Sequence, residues 1–425
     1  MTGMVAESIA PETSGLARRR WSQLVLGIVC LVAIANLQYG WTLFINPIAQ
    51  MHGWSTAAIQ WTFTIAIATE TVVPALGGGR LIDRFGPRLI VVSGPLVALA
   101  WFINSNAHSL VLFYAAAVIS GLGGGLIFAA TSGNALKWFP DRRGLATGLT
   151  AAGFAGGGAI TVVPLASMIQ SSGYQAAYLW FGLGQGAVVL LTALLLRAPR
   201  PGETSTLVSA HLPQGRYDHT PGEVRRSRPF WLMYAMFVMV GSGGLITIAQ
   251  LAPVAGSFAI DKVPLSLLGL TLPTLTLALS IGQVMNGLSR PFFGAVSDRL
   301  GRERTMFVAF ALEGVAIAFI PYASTPVWFV LCVGLVFFAW GEIFALFPAI
   351  CTDTYGSRFA TANYAMLYTA KGTAALLVPL ANVLSDVTGS WATVFAVASA
   401  LNVLTAILAL LVLKPARMSV MARVR

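Results

Sequence analysis

A membrane-spanning bundle of twelve α-helices, arranged as two six-helix halves, is the fold class this sequence predicts. Three observations predict it: a composition short of charge, a count of apolar runs, and a weak internal repeat. Of the 425 residues, 56% are hydrophobic and 10% charged, whereas a soluble domain carries about 25% charged residues. So few charges cannot cover a water-exposed surface, which argues against a soluble globular enzyme. The mean hydropathy of +0.77 agrees. The polar, low-complexity composition of a disordered chain is absent.

A spanning helix needs about 20 apolar residues. Twelve runs qualify: residues 22–46, 57–80, 88–107, 110–135, 145–169, 174–197, 229–256, 266–296, 305–322, 326–351, 360–385 and 390–413. The first follows Arg18, Arg19 and Arg20. It is too long for a signal-peptide core and lacks a small-residue cleavage site, so it reads as a retained helix.

The basic residues give the orientation. Of the 26, 23 fall in the termini or in loops after even-numbered runs. Lys262 falls in a loop after an odd-numbered run, and Arg290 and Lys371 fall inside apolar runs. The positive-inside rule then places both termini in the cytoplasm, in a cell inner membrane. The formal charge of +11 is mostly this topology signal, with some attraction to anionic lipid, and no nucleic-acid partner is expected. Cys30, Cys332 and Cys351 sit in apolar runs and read as buried free thiols rather than a disulfide framework.

The repeat has an offset of 215 residues. Asp83-Arg84-Phe85-Gly86 matches Asp298-Arg299-Leu300-Gly301, Arg143 matches Arg358, and Pro164 matches Pro379. Two parallel halves follow, 1–197 and 229–425, joined by a proline-rich, charged cytoplasmic linker at 198–228. The loop motif after the second and eighth runs resembles the signature of the major facilitator superfamily, and the resemblance spans essentially the whole chain. It implies that Asp83, Arg84, Asp298 and Arg299 take part in cytoplasmic gate contacts. A charged latch suits that task, because a few salt bridges at a moving interface bias a two-state equilibrium.

Nothing in the sequence points to catalysis or ATP use. No GxxxxGK[ST] stretch occurs. The glycine runs at 77–79, 121–125 and 156–158 lie in or at the ends of apolar helices with no preceding strand, which suits close helix packing. His52, His108, His211 and His219 fall in loops without ligand spacing, so no metal or cofactor is expected. No feature asks for a second copy of the chain, which is read as a monomer.

The two cations inside apolar runs carry the functional argument, since a charge in a bilayer is expensive and usually faces a cavity. Arg290 lies eight residues before Asp298, about 12 Å inside the membrane, and Lys371 thirteen residues after Arg358, at most about 20 Å in. Snorkelling, pairing with a buried acid and an anion-holding cavity are the three readings, and depth disfavours the first. The neighbouring faces support a cavity. Gln283, Asn286 and Arg290 share one face of the eighth run, and Tyr364, Tyr368 and Lys371 one face of the eleventh. Trp340, Phe344 and Phe347 form an aromatic stripe on the tenth, and the first run carries Asn36, Gln38, Tyr39, Trp41 and Thr42.

A second resemblance is narrower. Gln38-Tyr39-Gly40-Trp41-Thr42-Leu43, Trp138-Phe139-Pro140-Asp141-Arg142-Arg143-Gly144-Leu145-Ala146, Arg290-Pro291-Phe292-Phe293-Gly294, Ala345-Leu346-Phe347-Pro348 and Ala370-Lys371 are similar to the oxalate/formate antiporter branch of that superfamily. The resemblance implies that Arg290 and Lys371 bind substrate carboxylates in an aromatic pocket lined by Gln38, Tyr39 and Trp340. Phe128 and Phe344 stand where the oxalate exchanger carries tyrosine, and Tyr368 where it carries tryptophan. The missing phenol hydroxyls remove donors to an anion.

Glu70, Glu313 and Glu342 are buried acids, each a possible proton site or a neutralising partner for a cation. Glu342 lies about 200° around the helix from Trp340 and Phe344, pointing off the aromatic stripe. The sequence therefore predicts a secondary transporter of small organic carboxylates, working by oxalate:formate-type exchange. Two bare cations repelling across an empty low-dielectric cavity would favour exchange over reorientation without cargo. A proton-coupled monocarboxylate symporter is the alternative, and a membrane sensor without flux a distant one.

Overall fold

A computed structural model describes residues 14–204, 217–267 and 270–422. The middle of the predicted linker, 205–216, and the first thirteen residues lie outside the described residues, as do the side chains of Thr42 and Pro379. The described residues form twelve helical rods. The first half comprises α1 (Ser14–Ile34, Asn36–Tyr39 and Thr42–His52), α2 (Thr56–Val73, a wide turn Pro74–Gly78, then Gly79–Phe85), α3 (Pro87–Val92 and Ser93–Asn106) and α4 (Leu110–Trp138). Its last two rods, α5 and α6, form one hydrogen-bonded run, Arg143–Leu195, broken where Gly173 takes φ 83°. The second half comprises α7 (Arg228–Ser257), α8 (Thr274–Leu300), α9 (Arg302–Phe319 and Ile320–Tyr322) and α10 (Pro326–Trp340 and Ile343–Tyr355). It ends with α11 (Ala360–Ala375 and Leu377–Thr388) and α12 (Trp391–Leu408, Ala409–Leu413 and Lys414–Ala422).

Local chemistry sets the helix ends. The hydroxyls of Ser55, Ser109 and Ser390 accept first-turn N–H groups at the starts of α2, α4 and α12. The repeated motif ends α2 and α8 alike: Gly86 and Gly301 take φ 86° and 94°, a backbone region that side chains disfavour. Within the linker, Thr220 and Glu223 form a reciprocal capping box on a short helix, Pro221–Arg225. The box and the neighbouring hydroxyls hold the Glu223 carboxyl below its usual range. At the other end of the linker, Arg197 grips Glu203 with two bonds of 2.9 Å, which keeps that carboxyl down at about 2.

One element departs from expectation. The sequence places the eighth apolar run from 266, but α8 starts at Thr274, after a two-stranded hairpin, β1 (Pro264–Leu267) and β2 (Leu270–Pro273). Pro264 and Pro273 face each other across the pair, and the Ser266 and Thr271 hydroxyls meet at 2.7 Å. Cross-strand pairing of this short segment outweighs its apolar character.

Nine stretches of the described residues are long and apolar enough to cross a membrane; α5, α8 and α11 are not among them. Large apolar side chains such as Trp180, Leu191, Leu331 and Leu411 lie on the outside of the bundle, a surface that lipid covers. The three cysteines are buried free thiols.

Candidate functional site

Arg290 projects from α8 into the boundary between the halves, and its surroundings hold it from both sides. From its own helix Asn286 Oδ1 accepts from Nε at 3.2 Å and from Nη2 at 3.1 Å, the spacing of adjacent turns. From the first half, the Ala151 carbonyl accepts from Nη1 at 2.6 Å and the Tyr39 hydroxyl from Nη2 at 3.3 Å. The guanidinium is 1% exposed, and all these acceptors are neutral. Among the described residues it forms no ion pair.

Lys371 is different. Its Nζ donates to Gln38 Oε1 at 3.1 Å, to the Tyr368 hydroxyl at 3.0 Å and to Glu70 Oε1 at 3.4 Å. Tyr368 in turn donates to Glu70 Oε1 at 3.0 Å. The expected pair of bare cations is therefore corrected: Lys371 is paired with an acid from the opposite half, and only Arg290 lacks one. The sequence named Glu70 but not its partner, because α2 and α11 meet only through tertiary packing.

One ring links the two cations. The Arg290 guanidinium carbon lies 4.6 Å from the Phe344 centroid and Lys371 Nζ 5.9 Å from it, both within cation–π range. Phe128 stacks on Tyr368 at 4.8 Å and meets Phe344 edge-on at 6.5 Å. Trp340 is one ring further out, 5.5 Å from Phe344 and packed against Gly244. Gln38 and Tyr39 are half-buried, whereas Asn286, Phe128, Trp340, Phe344 and Tyr368 are buried. Two features escaped the residue-by-residue reading: the Ala151 carbonyl, which carries no side-chain signal, and Phe154, 5.2 Å from Tyr39. The Asn286 amide nitrogen and the Tyr364 hydroxyl are buried donors without a partner among the described residues.

Glu313 and Glu342 lie elsewhere, inside the second half. All four of their carboxylate oxygens lack a hydrogen-bond partner among the described residues. They contact neither cation.

At the basic end of the bundle, charged groups join the halves. Asp83 takes Lys137 at 2.6 Å and the Ala362 N–H of α11 at 2.9 Å. Asp298 takes Arg302 at 2.5 Å and the Gly144 and Leu145 N–H groups of α5 at 3.0 and 2.9 Å. Buried Asp353 is shared by Arg143 of the first half at 2.8 Å and Arg302 at 2.9 Å. Arg84 and Arg299 stand apart: both are exposed and form no ion pair among the described residues. The arginines of the seam are Arg143 and Arg302. Their helix-start positions hid their role, because basic residues at loop ends read first as topology.

Sequence and fold comparisons agree with this architecture. The family model described as Major Facilitator Superfamily matches residues 26–270 and 263–420. The chain is 34% identical over 370 residues to the oxalate:formate antiporter of Oxalobacter formigenes, covering 86% of this chain and 84% of that one. It is 26% identical over 353 residues to monocarboxylate transporter 13 of Bos taurus, covering 81% and 78%. The human organic anion transporter MFSD10 shares the fold, with a TM-score of 0.67 at 15% identity over 92% of this chain and 99% of that one. With its repeated loop motif, its two six-helix halves and a family match along nearly its whole length, the chain belongs to the Major Facilitator Superfamily.

Proposed function

We propose that this protein exchanges small carboxylate anions across the inner membrane by alternating access, with Arg290 and Lys371 as the anion-binding pair. The observation that carries the reading is Arg290: a fully buried guanidinium between the halves, held by neutral acceptors only. A buried charge of that kind is costly unless a counter-charge visits it. Its planar fork matches the two oxygens of a carboxylate. Both cations are carried by the second half and touched by groups of the first, so cargo binding rearranges contacts between the halves. The charged seam at the basic end, which the basic residues assign to the cytoplasm, closes one side of the pathway. The oxalate:formate relative makes the carboxylate class the natural cargo.

Proton-coupled monocarboxylate uptake is a second reading. It is favoured by the contact between Glu70 and Lys371, which offers a carboxylate able to take up a proton beside the site, and by the monocarboxylate transporter relative. Counterflow in proteoliposomes separates the two. Exchange predicts slow efflux of loaded label into substrate-free buffer, fast efflux into substrate, and little effect of a pH gradient. Accumulation driven by a proton gradient from an exterior without counter-substrate, abolished in Glu70→Gln, selects symport.

A further inference from the structure

We infer that Glu70 is a built-in competitor for cargo at Lys371, and that it fits this site to monocarboxylates in preference to dicarboxylates. The inference rests on the carboxylate-exchange reading above and adds the cargo's charge.

Three observations carry it. First, Glu70 already occupies the seat that a second cargo carboxylate needs. Its Oε1 receives the Lys371 ammonium at 3.4 Å and the Tyr368 hydroxyl at 3.0 Å, while Gln38 takes another ammonium proton. The three donors of the ammonium are then all engaged.

Second, the backbone of Glu70 is held in place. Gly121 and Gly125 of α4 press directly on it: a Cβ built on Gly121 would lie 2.9 Å from the Glu70 nitrogen, and one on Gly125 would overlap the Glu70 carbonyl oxygen. Across the other side of α2, a Cβ on Gly372 would come within 2.7 Å of the Thr71 hydroxyl. Helices packed this closely leave the carboxylate only its side-chain torsions with which to withdraw.

Third, the charges balance for one carboxylate. Arg290 and Lys371 contribute two positive charges and Glu70 one negative, which leaves the buried site with a single uncompensated cation, on Arg290. A monocarboxylate on the Arg290 fork neutralises it and leaves the Lys371–Glu70 contact intact. A dicarboxylate brings its second group to Lys371, where it meets Glu70 across one ammonium. Like charges so placed in a low-dielectric site repel strongly.

The test uses the full-length protein in proteoliposomes. Labelled formate counterflow is competed with unlabelled formate and with oxalate, and the ratio of their half-inhibitory concentrations is read. Wild type should favour formate. Glu70→Gln should move the ratio toward oxalate by about tenfold or more, as expected for loss of a like-charge contact. Glu70→Asp, which keeps the charge, should keep the wild-type order. Tyr368→Phe, which frees Glu70 from its hydroxyl brace, should move the ratio in the same direction as Glu70→Gln but less. A wild type that prefers oxalate overturns the inference. So does an unmoved ratio in folded Glu70→Gln or, should that variant not fold, in Tyr368→Phe. A wild type that exchanges no carboxylate at all instead overturns the exchange reading, and the inference with it.

Discussion

Asp298 accepts the backbone N–H of Gly144 at 3.0 Å and so caps, from the second half, the helix that opens α5 in the first. The repeat-related residue, Asp83, does the same in reverse, accepting the Ala362 N–H at the start of α11 at 2.9 Å. Each carboxylate lies where a helix N-terminus is most positive, and each is also tied to a cation of its own half, Arg302 or Lys137. The signature aspartate is therefore held by a cation of its own half and by a helix start of the other, the arrangement expected of a latch between the halves. Asp353 completes the seam by joining Arg143 to Arg302.

Weakening the latch should open the basic end. Asp298→Asn keeps one acceptor but loses the charge at a helix terminus, a cost of about 0.5–2 kcal/mol in the closed state. Asp83→Asn should act equally, by the repeat, and the two together should add. Asp353→Asn should act more strongly, since removing one partner of a buried ion pair costs roughly 3–5 kcal/mol. The readout is the maleimide labelling rate of Thr361→Cys, a buried seam position, in a background without the three native thiols. Rates that rise in the order wild type, single cap variant, Asp353→Asn are expected. Equal rates in all of them would remove the latch from the mechanism.

Much of this molecule was legible because membrane insertion writes its constraints locally. Apolar length, basic loop ends and the repeated Asp-Arg-x-Gly motif each need only neighbouring residues to be read. Arg290 and Lys371 stood out for the same reason, as charges within apolar runs. The partners were hidden. Helix periodicity turns Glu342 off the aromatic stripe, but nothing local distinguishes Glu70, which meets Lys371, from Glu313, which does not. Arg84 and Arg299 belong to the motif yet face outward, while Arg143 and Arg302 occupy the seam. That assignment depends on which side of a helix turns toward the other half. The hairpin ahead of α8 was missed because four-residue strands are indistinguishable by hydropathy from the helix they precede.

The packing of α4 on α2 gives a second test. Gly125→Ala places a Cβ against the Glu70 carbonyl, so the two helices must part, at a cost of about 1–3 kcal/mol. Thermal unfolding in detergent should come at a lower temperature. Gly184→Ala is the control: its Cβ meets nothing within 4 Å, and removing a glycine from a helix interior contributes about 0.5–1 kcal/mol of stability. Should both variants unfold alike, the close approach at Glu70 is not a determinant of stability.

Orientation is checked by impermeant thiol labelling of intact cells. Lys262→Cys, in the loop before the hairpin and on the opposite side from the basic loops, should be labelled from outside. Arg226→Cys, beside the short linker helix, should be protected until the membrane is permeabilised. The reverse pattern would invert the topology and move the charged seam to the outer face.

The two cations should fail differently, because they are held differently. Arg290→Lys keeps the charge but loses the fork and at least one of the four bonds that aim it, since one ammonium proton at most replaces the two that reach Asn286 Oδ1. Transport should fall by at least about tenfold, as expected for loss of one charge-assisted hydrogen bond worth roughly 1.5–3 kcal/mol. Folding should survive, since no acid among the described residues pairs with Arg290. Lys371→Ala strands Glu70 in a buried site and leaves only Tyr368 to hold it. Its thermal stability should therefore drop as well as its transport, and Lys371→Ala combined with Glu70→Gln should recover stability without recovering full transport. Expression, thermal unfolding and counterflow of the three variants together settle the assignment. Stability unchanged in Lys371→Ala would mean that the ion pair contributes nothing to the fold, and wild-type transport in both Arg290→Ala and Lys371→Ala would remove these residues from the site.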